Sequence, residues 1–583
     1  MRILLEALDD DLEAAMSALG VDAALWRKVI GPARERAEGD VALPCFPFAK
    51  AVGQSPADIA SALAERLGDH PALLEARASN GYLNLVANPA WLLEHVLAPP
   101  PRNDADGPLR LIEHTSANPN GPFHVGRARN AILGDTLVRL HRLAGHRVRS
   151  EYYVDDMGKQ VGVLAWALKH LDEGRVNALL AEREAPDPTW ETKADHARVR
   201  WYQAAQLLRQ EAPEEEQALI EAEIADLVHA SEHGDASVLA SFEAAYGPVL
   251  DGMLETLSRL GITFDAFTKE STFVVDGSVA ALMDELEALD IHGVADNGAR
   301  FLDLGQRGLK GKTDFFYRRA DGSSLYATRD LAYHRWKWTQ ADQLIDVLGE
   351  DHRLQAQQVG LTLAELGVEA PEVVFYSFIK LPEGKMSTRR GNVVFMDDLL
   401  EEATAQAADL VRGLRPDYDE AEVKAIAEAV AISAVRFNIV RVSPEKGFTF
   451  TWEDALSLDG GSAPFAMYAH TRACAIARRL EAAGWAGAEQ VVLPRSPAPG
   501  LVEILRLLAV HHDVLMQAVE QHRPHLFALH LLDLATAYNA FYRDCPVLDG
   551  GVVHDTHAAV SERARQVLHD GLVGVGIVPL EHM

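Results

Sequence analysis

The chain has 583 residues, 48% of them hydrophobic, and a formal net charge of −31. A chain of this length can bury a large core, and we expect it to divide into about three or four domains. Its three cysteines, Cys45, Cys474 and Cys545, are too scattered for a CxxC metal site or a disulfide framework, so we expect no zinc. No apolar run approaches the roughly 20 residues that a membrane span needs. These features predict a soluble cytoplasmic protein.

The negative charge is also an argument against a nucleic-acid partner, because binding to phosphates favours basic proteins. A large enzyme needs only a local basic track, however. Arg472, Arg478 and Arg479 lie on a predicted helix, with Tyr468 one turn before Arg472. Taken alone, these residues fit a solvated helix face about as well as an RNA contact.

The pattern along the chain predicts three domains. A proline-rich polar linker at residues 98–108 separates a small α+β domain, residues 1–104, from the rest. Residues 105–398 alternate strand and helix signals, with strand-like runs at 109–112, 148–154 and 343–349, which predicts a doubly wound parallel sheet. Two stretches in it, near 166–240 and 271–325, are interpreted as insertions. Residues 399–583 carry long apolar helical runs and predict an all-α bundle.

The segment His124-Val-Gly-Arg127 follows the first of these strands and a Pro/Asn/Gly turn, and it opens a predicted helix that stops at Gly145. A helix N-terminus presents backbone N–H groups and a positive dipole end to phosphate oxygens. His124 can donate a hydrogen bond to a phosphoryl group, and the small Gly126 lets a nucleotide ring approach the backbone. The alternative for His124 is a residue that only caps the helix or packs.

Far downstream, residues 385–392 read Lys-Met-Ser-Thr-Arg-Arg-Gly-Asn. This segment places a lysine and two arginines on a glycine-flanked loop, the composition of a mobile clamp for triphosphate charge. Together the two segments predict an ATP site built from separated pieces of the chain.

The two segments resemble the two signatures of class I aminoacyl-tRNA synthetases, and the residues around them resemble the arginyl-tRNA synthetase family. The likeness runs from end to end in the right order. It is carried by residues 39–46, 49–50, 81–84, 113–119, 129–135, 326–332 and 468–472, and by Met583. The resemblance implies a Rossmann-like catalytic domain with insertions, a tRNA-contacting N-terminal domain and an anticodon-binding C-terminal domain.

The resemblance also implies a reaction. ATP and L-arginine would form arginyl-adenylate, and the arginyl group would move to the 3′-terminal ribose of tRNA(Arg), with Mg²⁺ accompanying ATP. Such activation needs no nucleophilic side chain, because the arginine carboxylate itself attacks the α-phosphorus. The expected catalytic residues are His124, Arg127, Lys385 and Arg389. The expected ATP-binding residues are His124, Gly126, Lys385, Met386 and Ser387.

Two positions depart from a common class I pattern. Arg127 stands where a histidine is common, and Thr388-Arg389 stands where a lysine and a serine are often found. Arginine is a forked donor and lysine a point charge, so the phosphate geometry need not be the same. Which of Arg127, Arg389 and Arg390 makes which contact stays open.

By resemblance, the arginine pocket comprises Glu113, Asn118, Tyr326, Asp330 and His352, the last standing where the family often has glutamine. Asp330 is the sharpest candidate, because a carboxylate pairs best with the planar fan of guanidinium donors. Its alternative is a helix-start residue favoured by the dipole. Asn118 could equally be a turn residue, and Glu270 is a weaker additional candidate.

For tRNA, the resemblance points to Tyr82 and Asn84, where an aromatic ring stacks on a base and an amide reads its edge. The alternative is an ordinary strand with a buried tyrosine. Tyr468, Arg472 and Met583 match anticodon-domain positions. We expect a monomer.

Two other functions fit parts of the sequence. Another class I synthetase, or a nucleotidylyltransferase acting on a small molecule, would keep the ATP site but lose the Asp330 pocket. A non-enzymatic RNA-binding relative would be expected to lose His124 or the Lys385 loop, and both are present.

Overall fold

The computed structural model describes residues 1–33, 35, 37–98, 106–181, 192–380, 394–487 and 491–583. It confirms the predicted fold class: a parallel sheet with helices in the middle of the chain, a small α+β part before it and a helical part after it. The chain divides into two compact units. One comprises Met1–Arg102, Ser457–Val573 and Val578–Met583, and the other comprises Asn103–Leu456 and Gly574–Ile577. Within the described residues, every helix is too short or too polar to cross a membrane.

The N-terminal part of the first unit is an antiparallel sheet of order β1-β2-β4-β3 with five helices. Its elements are α1 (Arg2–Ala18), α2 (Ala23–Trp26), β1 (Gly31–Pro32), β2 (Val41–Pro44), α3 (Ala49–Val52), α4 (Pro56–Leu67), β3 (Leu73–Ser79), β4 (Tyr82–Ala87) and α5 (Pro89–Leu97). Asn80 (φ 51°) and Gly81 (φ 78°) make the two-residue turn between β3 and β4, as expected for an Asn-Gly hairpin.

The second unit contains the parallel sheet and its insertions. In chain order its elements are β5 (Leu109–Glu113), α6 (Val125–Leu143), β6 (Arg147–Val154), α7 (Lys159–His170), α8 (Glu173–Leu180), α9 (Ala194–Glu211), α10 (Glu214–Glu232), α11 (Ala236–Arg259), β7 (Ala266–Lys269), α12 (Ser271–Val275), α13 (Ser278–Glu287), β8 (His292–Val294), β9 (Arg300–Asp303), β10 (Asp314–Arg318), α14 (Tyr326–Gln340), β11 (Gln343–Gly349), α15 (Arg353–Glu365), β12 (Glu372–Tyr376), β13 (Ile379–Lys380), α16 (Met396–Leu414), α17 (Glu420–Val440), β14 (Phe448–Thr449) and α18 (Trp452–Ala455).

The five-stranded sheet has the order β12-β11-β5-β6-β7, and every neighbouring pair is parallel. The predicted strands at 109–112, 148–154 and 343–349 are its three central strands. The strand order reverses at β5, because the chain goes first to β6 on one side and later to β11 on the other. Doubly wound sheets bind ligands beyond the carboxyl ends of the strands at such a point, so residues just after β5 and β11 are well placed for function.

The C-terminal part of the first unit is helical, with one two-stranded ribbon. Its elements are α19 (Ala463–Ala482), α20 (Pro499–Glu520), α21 (Pro524–Asp544), β15 (Leu548–Asp549), β16 (Val552–Val553) and α22 (Asp555–Gly574). The predicted apolar runs correspond to α17, α19, α20 and α21, each of which buries a stripe of alanine, leucine and other apolar side chains.

Candidate active site

The start of α6 is held by the residues that directly follow the second signature. Val125 donates its backbone N–H to the carbonyl of Val394 (3.0 Å), and Met396 donates to the carbonyl of Phe123 (2.8 Å). His124 forms an antiparallel bridge with the intervening Phe395. The tertiary structure therefore brings residues 394–396, which come soon after the second signature in the chain, against the first signature. The predicted residues Lys385, Met386, Ser387 and Arg389 themselves lie outside the described part of the chain.

His124 occupies the position just before α6, but its side chain makes no capping hydrogen bond to the helix. Burial lowers the pKa of His124 to about 4, and the charge of Arg127 adds to this effect. The imidazole is therefore neutral at pH 7, with one N–H to donate. A Cβ on Gly126 would lie 3.0 Å from Nδ1 of His124, so the glycine leaves room for the ring.

The loop between β5 and α6 is strained. Thr115 (φ 72°) and Ser116 (φ 37°) both adopt left-handed backbone, which costs about 1–3 kcal/mol per residue and persists only where the surroundings hold it. Thr115 donates its N–H to Oδ1 of Asn130 (2.7 Å), and the Ser116 hydroxyl donates to Oε1 of Glu113 (3.1 Å). The polar residues of this loop are thus held in one geometry at the carboxyl end of β5.

Asn118 lies farther along the same loop and is half-buried. Its side chain and that of Asn120 both donate to Oε1 of Gln160, at 3.3 and 2.7 Å. Arg127 donates to the backbone carbonyl of Asn118 (3.0 Å). Arg127 therefore braces the turn, and burial lowers the pKa of its guanidinium.

A cavity of about 80 Å³ lies beside α14, β11 and α15, and its lining includes Asp330, His334, Asp346 and His352. Burial raises the pKa of Asp330 to about 7, with Glu113 and Asp346 adding to the effect and Lys337 opposing it. Burial also keeps His334, whose Nε2 lies 3.4 Å from Asp330, neutral by lowering its pKa. Within the described residues, no lysine or arginine forms an ion pair with Asp330. Asp330 is therefore a carboxylate that faces a cavity without a full counter-ion.

Glu113 is bound to the same region through Lys337. The Lys337 ammonium is fully buried and donates to Oε2 of Glu113 (2.8 Å) and to both carboxylate oxygens of Asp346 (2.8 and 3.0 Å). His352 is more exposed, with 52% of its side chain accessible, and approaches Gln355 at 3.4 Å.

Tyr326 and Glu270 surround an internal arginine instead of this cavity. Glu270 is buried and pairs with Arg329, while the Arg329 guanidinium lies 4.6 Å from the centre of the Tyr326 ring. Burial raises the pKa of Glu270 to about 8, although Arg329 opposes the shift. The Tyr326 side chain keeps an exposed face, since the residue is 46% accessible.

On the N-terminal sheet, Tyr82 and Phe46 form an edge-to-face aromatic pair with ring centres 5.4 Å apart. Phe46 is 52% exposed and Tyr82 is half-buried. A Cβ on Gly81 would lie 2.8 Å from the Phe46 ring, so the hairpin glycine permits this pairing. Asn84 is the buried member of the predicted set, and its Oδ1 accepts no hydrogen bond within the described structure.

In the C-terminal helices, Arg472 lies between two exposed tyrosines. Its guanidinium is 4.5 Å from the ring centre of Tyr468 and 5.2 Å from that of Tyr542, and it donates to Oδ1 of Asn539 (2.6 Å). The two tyrosines are 40% and 39% exposed. This arrangement presents a basic, aromatic surface in an acidic protein.

One group of potential metal ligands comes together in the described chain: Asp195, His196 and Asp397. The ammonium of Lys193 lies 3.1 Å from Asp195 and 2.8 Å from Asp397. The lysine already supplies positive charge to both carboxylates, so the group is a buried ion-pair cluster.

Comparison with known proteins agrees with this geometry. The model for the class I tRNA synthetase (R) catalytic domain matches residues 109–452, the DALR anticodon-binding domain matches 466–583, and the arginyl-tRNA synthetase N-terminal domain matches 4–87. The arginine–tRNA ligase of Methanocella arvoryzae is 38% identical over 94% of both chains. That of Methanococcoides burtonii is 37% identical over 92% of this chain and 93% of its own. The chain belongs to the arginyl-tRNA synthetase family. It is an enzyme that ligates arginine to tRNA.

Solved structures of the family are also similar. The Thermus thermophilus arginyl-tRNA synthetase superposes with a TM-score of 0.79 at 26% identity, covering 99% of this chain and 100% of its own. The Plasmodium falciparum enzyme, at 15% identity and a TM-score of 0.77, shares the fold and covers 100% of this chain and 99% of its own. The resemblance noted from the motifs is therefore confirmed.

In this member of the family, the structure brings some expected site residues together and separates others. Asp330 and His352 line one cavity, Glu113 reaches it through Lys337, and Tyr326 lies over Arg329. Sequence reasoning missed Lys337, Asp346, Phe46 and Tyr542. Only Lys337 carried a usable signal: it lies seven residues after Asp330 on the same predicted helix and therefore on the same face.

Proposed function

We propose that the chain joins arginine to tRNA(Arg) in two steps. The arginine carboxylate attacks the α-phosphorus of ATP, the bond to the β-phosphate oxygen breaks, and pyrophosphate leaves. A hydroxyl of the 3′-terminal ribose then attacks the arginyl carbonyl and loses its proton to the phosphate or to solvent, and AMP leaves with the electrons of the broken acyl–phosphate bond. The observation that supports this proposal is the pairing of residues 394–396, which come soon after the second signature in the chain, with the start of α6, where the first signature lies.

We assign the phosphate chemistry to both segments. His124 is neutral at pH 7 and donates a hydrogen bond to the α-phosphoryl group as charge develops. Arg127 holds the turn and adds positive charge. Gly126 gives the nucleotide access, and Lys385, Met386, Ser387 and Arg389 bind ATP or its leaving pyrophosphate, as the resemblance implies.

We propose that Asp330 binds the guanidinium of the substrate arginine. Asp330 faces the 80 Å³ cavity, and no lysine or arginine in the described part of the chain forms an ion pair with it. By resemblance we assign Glu113, Asn118, Tyr326 and His352 to the same site, although of these four only His352 lines the cavity and Glu113 is joined to it through Lys337. Glu270 is the weaker candidate for binding the substrate guanidinium, because its carboxylate already forms an ion pair with Arg329. A bidentate carboxylate–guanidinium pair explains a preference for arginine over neutral amino acids.

For tRNA we propose two contact surfaces. Tyr82, supported by Phe46, stacks on a base. Asn84 is assigned to the same surface by the resemblance alone, because its side chain is buried. Tyr468 and Arg472, with Met583 at the end of the chain, form the anticodon-side contact. The Arg472 guanidinium between two exposed rings supports stacking with bases.

Mg²⁺ enters with ATP. This ion keeps several waters and is usually held by substrate phosphates and few protein groups. In the loop region the side-chain oxygens of Asn118 and Asn120 suit a hard cation, whereas Oε1 of Gln160 already accepts a hydrogen bond from each of these amides. When bound, the ion neutralises phosphate charge. We further propose a monomeric enzyme of the cytoplasm, which light scattering and fractionation test.

The test is an ATP–pyrophosphate exchange assay across the standard amino acids, run with and without total tRNA, followed by charging of tRNA. We expect exchange with arginine above all others and arginine-dependent charging. Preferential activation of another amino acid, or exchange without any charging, would refute the proposal.

A further inference from the structure

The central sheet carries a row of three carboxylates at one level. Asp346 on β11 is the register partner of Glu113 on β5, and Glu113 is the partner of Glu151 on β6. In-register side chains on neighbouring strands lie side by side, and like charges so placed destabilise a sheet. Two cations offset the row: Arg149 pairs with Glu151 (2.9 Å), and Lys337 pairs with both Glu113 and Asp346.

Lys337 reaches this row from α14, the helix that also carries Asp330. The lysine is 0% exposed, and it donates to Oε2 of Glu113 and to both carboxylate oxygens of Asp346. It makes no hydrogen bond to Asp330 among the described contacts. Lys337 thus brings one positive charge to three carboxyl groups, and Asp330, at the cavity, is the one to which it donates no hydrogen bond.

We propose that Lys337 is a positioning residue of the arginine site: it holds Glu113 and Asp346 as an ion-paired set, so that the guanidinium of arginine is directed to Asp330. This inference rests on the proposed arginine site around Asp330. Without the lysine, the two facing carboxylates either share a proton or, when both are ionised, repel each other and compete with Asp330 for the substrate cation.

Other ionisable groups face this set from each neighbouring element. They are Arg149, Glu151 and Tyr153 on β6, Tyr333 and His334 on α14, and His352 at the cavity rim. Arg149 is engaged by Glu151 and His334 is neutral, so neither replaces the Lys337 charge at the pair.

The test compares Lys337→Met with Lys337→Arg and with the matched control Arg335→Met, which removes an exposed cation from the same helix. We expect Lys337→Met to lower kcat/KM for arginine by about tenfold or more at pH 7, with the KM for ATP within about twofold of wild type. The pH midpoint of kcat/KM should move upward by about one unit, because a positive charge that favoured the ionised carboxylates is gone. Lys337→Arg should restore the wild-type midpoint, and Arg335→Met should leave it unchanged.

A purely structural role would lower activity for both substrates without moving the midpoint, and that result would overturn the proposal. If Lys337→Met does not fold, the double variant Lys337→Met/Asp346→Asn removes the cation together with one facing carboxylate. It should fold and still lose about tenfold in kcat/KM for arginine relative to ATP, and wild-type arginine kinetics would again overturn the proposal. Asp330→Asn, measured in parallel, distinguishes failure of the proposed arginine site from failure of the proposed role of Lys337. If Asp330→Asn has no effect on arginine kinetics, the arginine site is wrong. If it raises the arginine requirement while Lys337→Met does not, only the role of Lys337 is wrong.

Discussion

Replacing Asp330 by asparagine keeps the side-chain shape and removes the charge at the cavity. Loss of one partner of a buried charge pair costs about 2 to 5 kcal/mol. The cost of Asp330→Asn should lie near the lower end of this range. The reason is that 29% of the Asp330 side chain is accessible and that its pKa of about 7 leaves it half-protonated before arginine binds. A loss of about 2 to 3 kcal/mol corresponds to a roughly 30- to 150-fold rise in the KM for arginine.

The pH dependence gives the same substitution a second readout. Bound guanidinium favours the ionised carboxylate, so arginine binding must release a proton wherever free Asp330 is protonated. The wild-type KM for arginine should therefore be flat above about pH 8 and rise up to about tenfold per unit as pH falls below 7. Asp330→Asn should lose this slope, because asparagine does not titrate in this range.

Pyrophosphate exchange with varied arginine and ATP, from about pH 6 to pH 9, measures both effects. Citrulline, a neutral ligand of similar outline, should inhibit wild type and variant alike. Glu285→Gln, which removes an exposed carboxylate that pairs with Arg335, is the matched control and should change nothing. An unchanged arginine KM, or an equal rise in the KM for ATP, would refute the role of Asp330.

Three further predictions test other parts of the molecule. His124→Ala should lower the activation rate by roughly 10²-fold with little change in arginine binding, measured by single-turnover adenylate formation, and activity within a few-fold of wild type would remove His124 from the phosphate site. Tyr82→Ala should weaken tRNA binding in the charging assay, with a loss of stacking free energy of about 1 to 3 kcal/mol. The melting temperature should not fall, and a lower melting temperature would instead favour a packing role for Tyr82. In urea unfolding, Gly576→Ala should lower the free energy of unfolding by about 1 to 3 kcal/mol more than Gly53→Ala does. A Cβ at position 576 would lie 2.0 Å from the buried Arg436 guanidinium, whereas Gly53 has a similar φ and open space around it. Equal effects of the two glycine substitutions would contradict that reasoning.

Local signals in the sequence were enough to predict much of the fold. Apolar runs bounded by Gly, Pro and Asn predicted the three central strands and the long C-terminal helices, and a histidine after a Pro/Asn/Gly turn predicted the start of α6 at Val125. These features depend on residues near one another in the chain. The domain boundaries at residues 104 and 398 stay predictions.

Other features could not be read from the sequence, because they join distant segments. Nothing local in Glu113 or Asp346 indicates that they face each other on neighbouring strands, or that Lys337 bridges them. The same holds for Tyr542 beside Arg472 and for Phe46 beside Tyr82, where the partner is set by helix or sheet packing.

The sequence by itself determined the family, the element types and the chemistry that the site must perform, since motifs and periodicity are carried by short stretches of chain. Only the tertiary structure decided which charges meet. It placed residues 394–396 against the start of α6 and paired Glu270 with Arg329. Among the described residues, it left Asp330 without a lysine or arginine partner. The physical reason is that burial and Coulomb interactions depend on distance in space. Whether a given carboxylate is ion-paired or lacks a cationic partner is therefore set by the neighbours that folding brings to it.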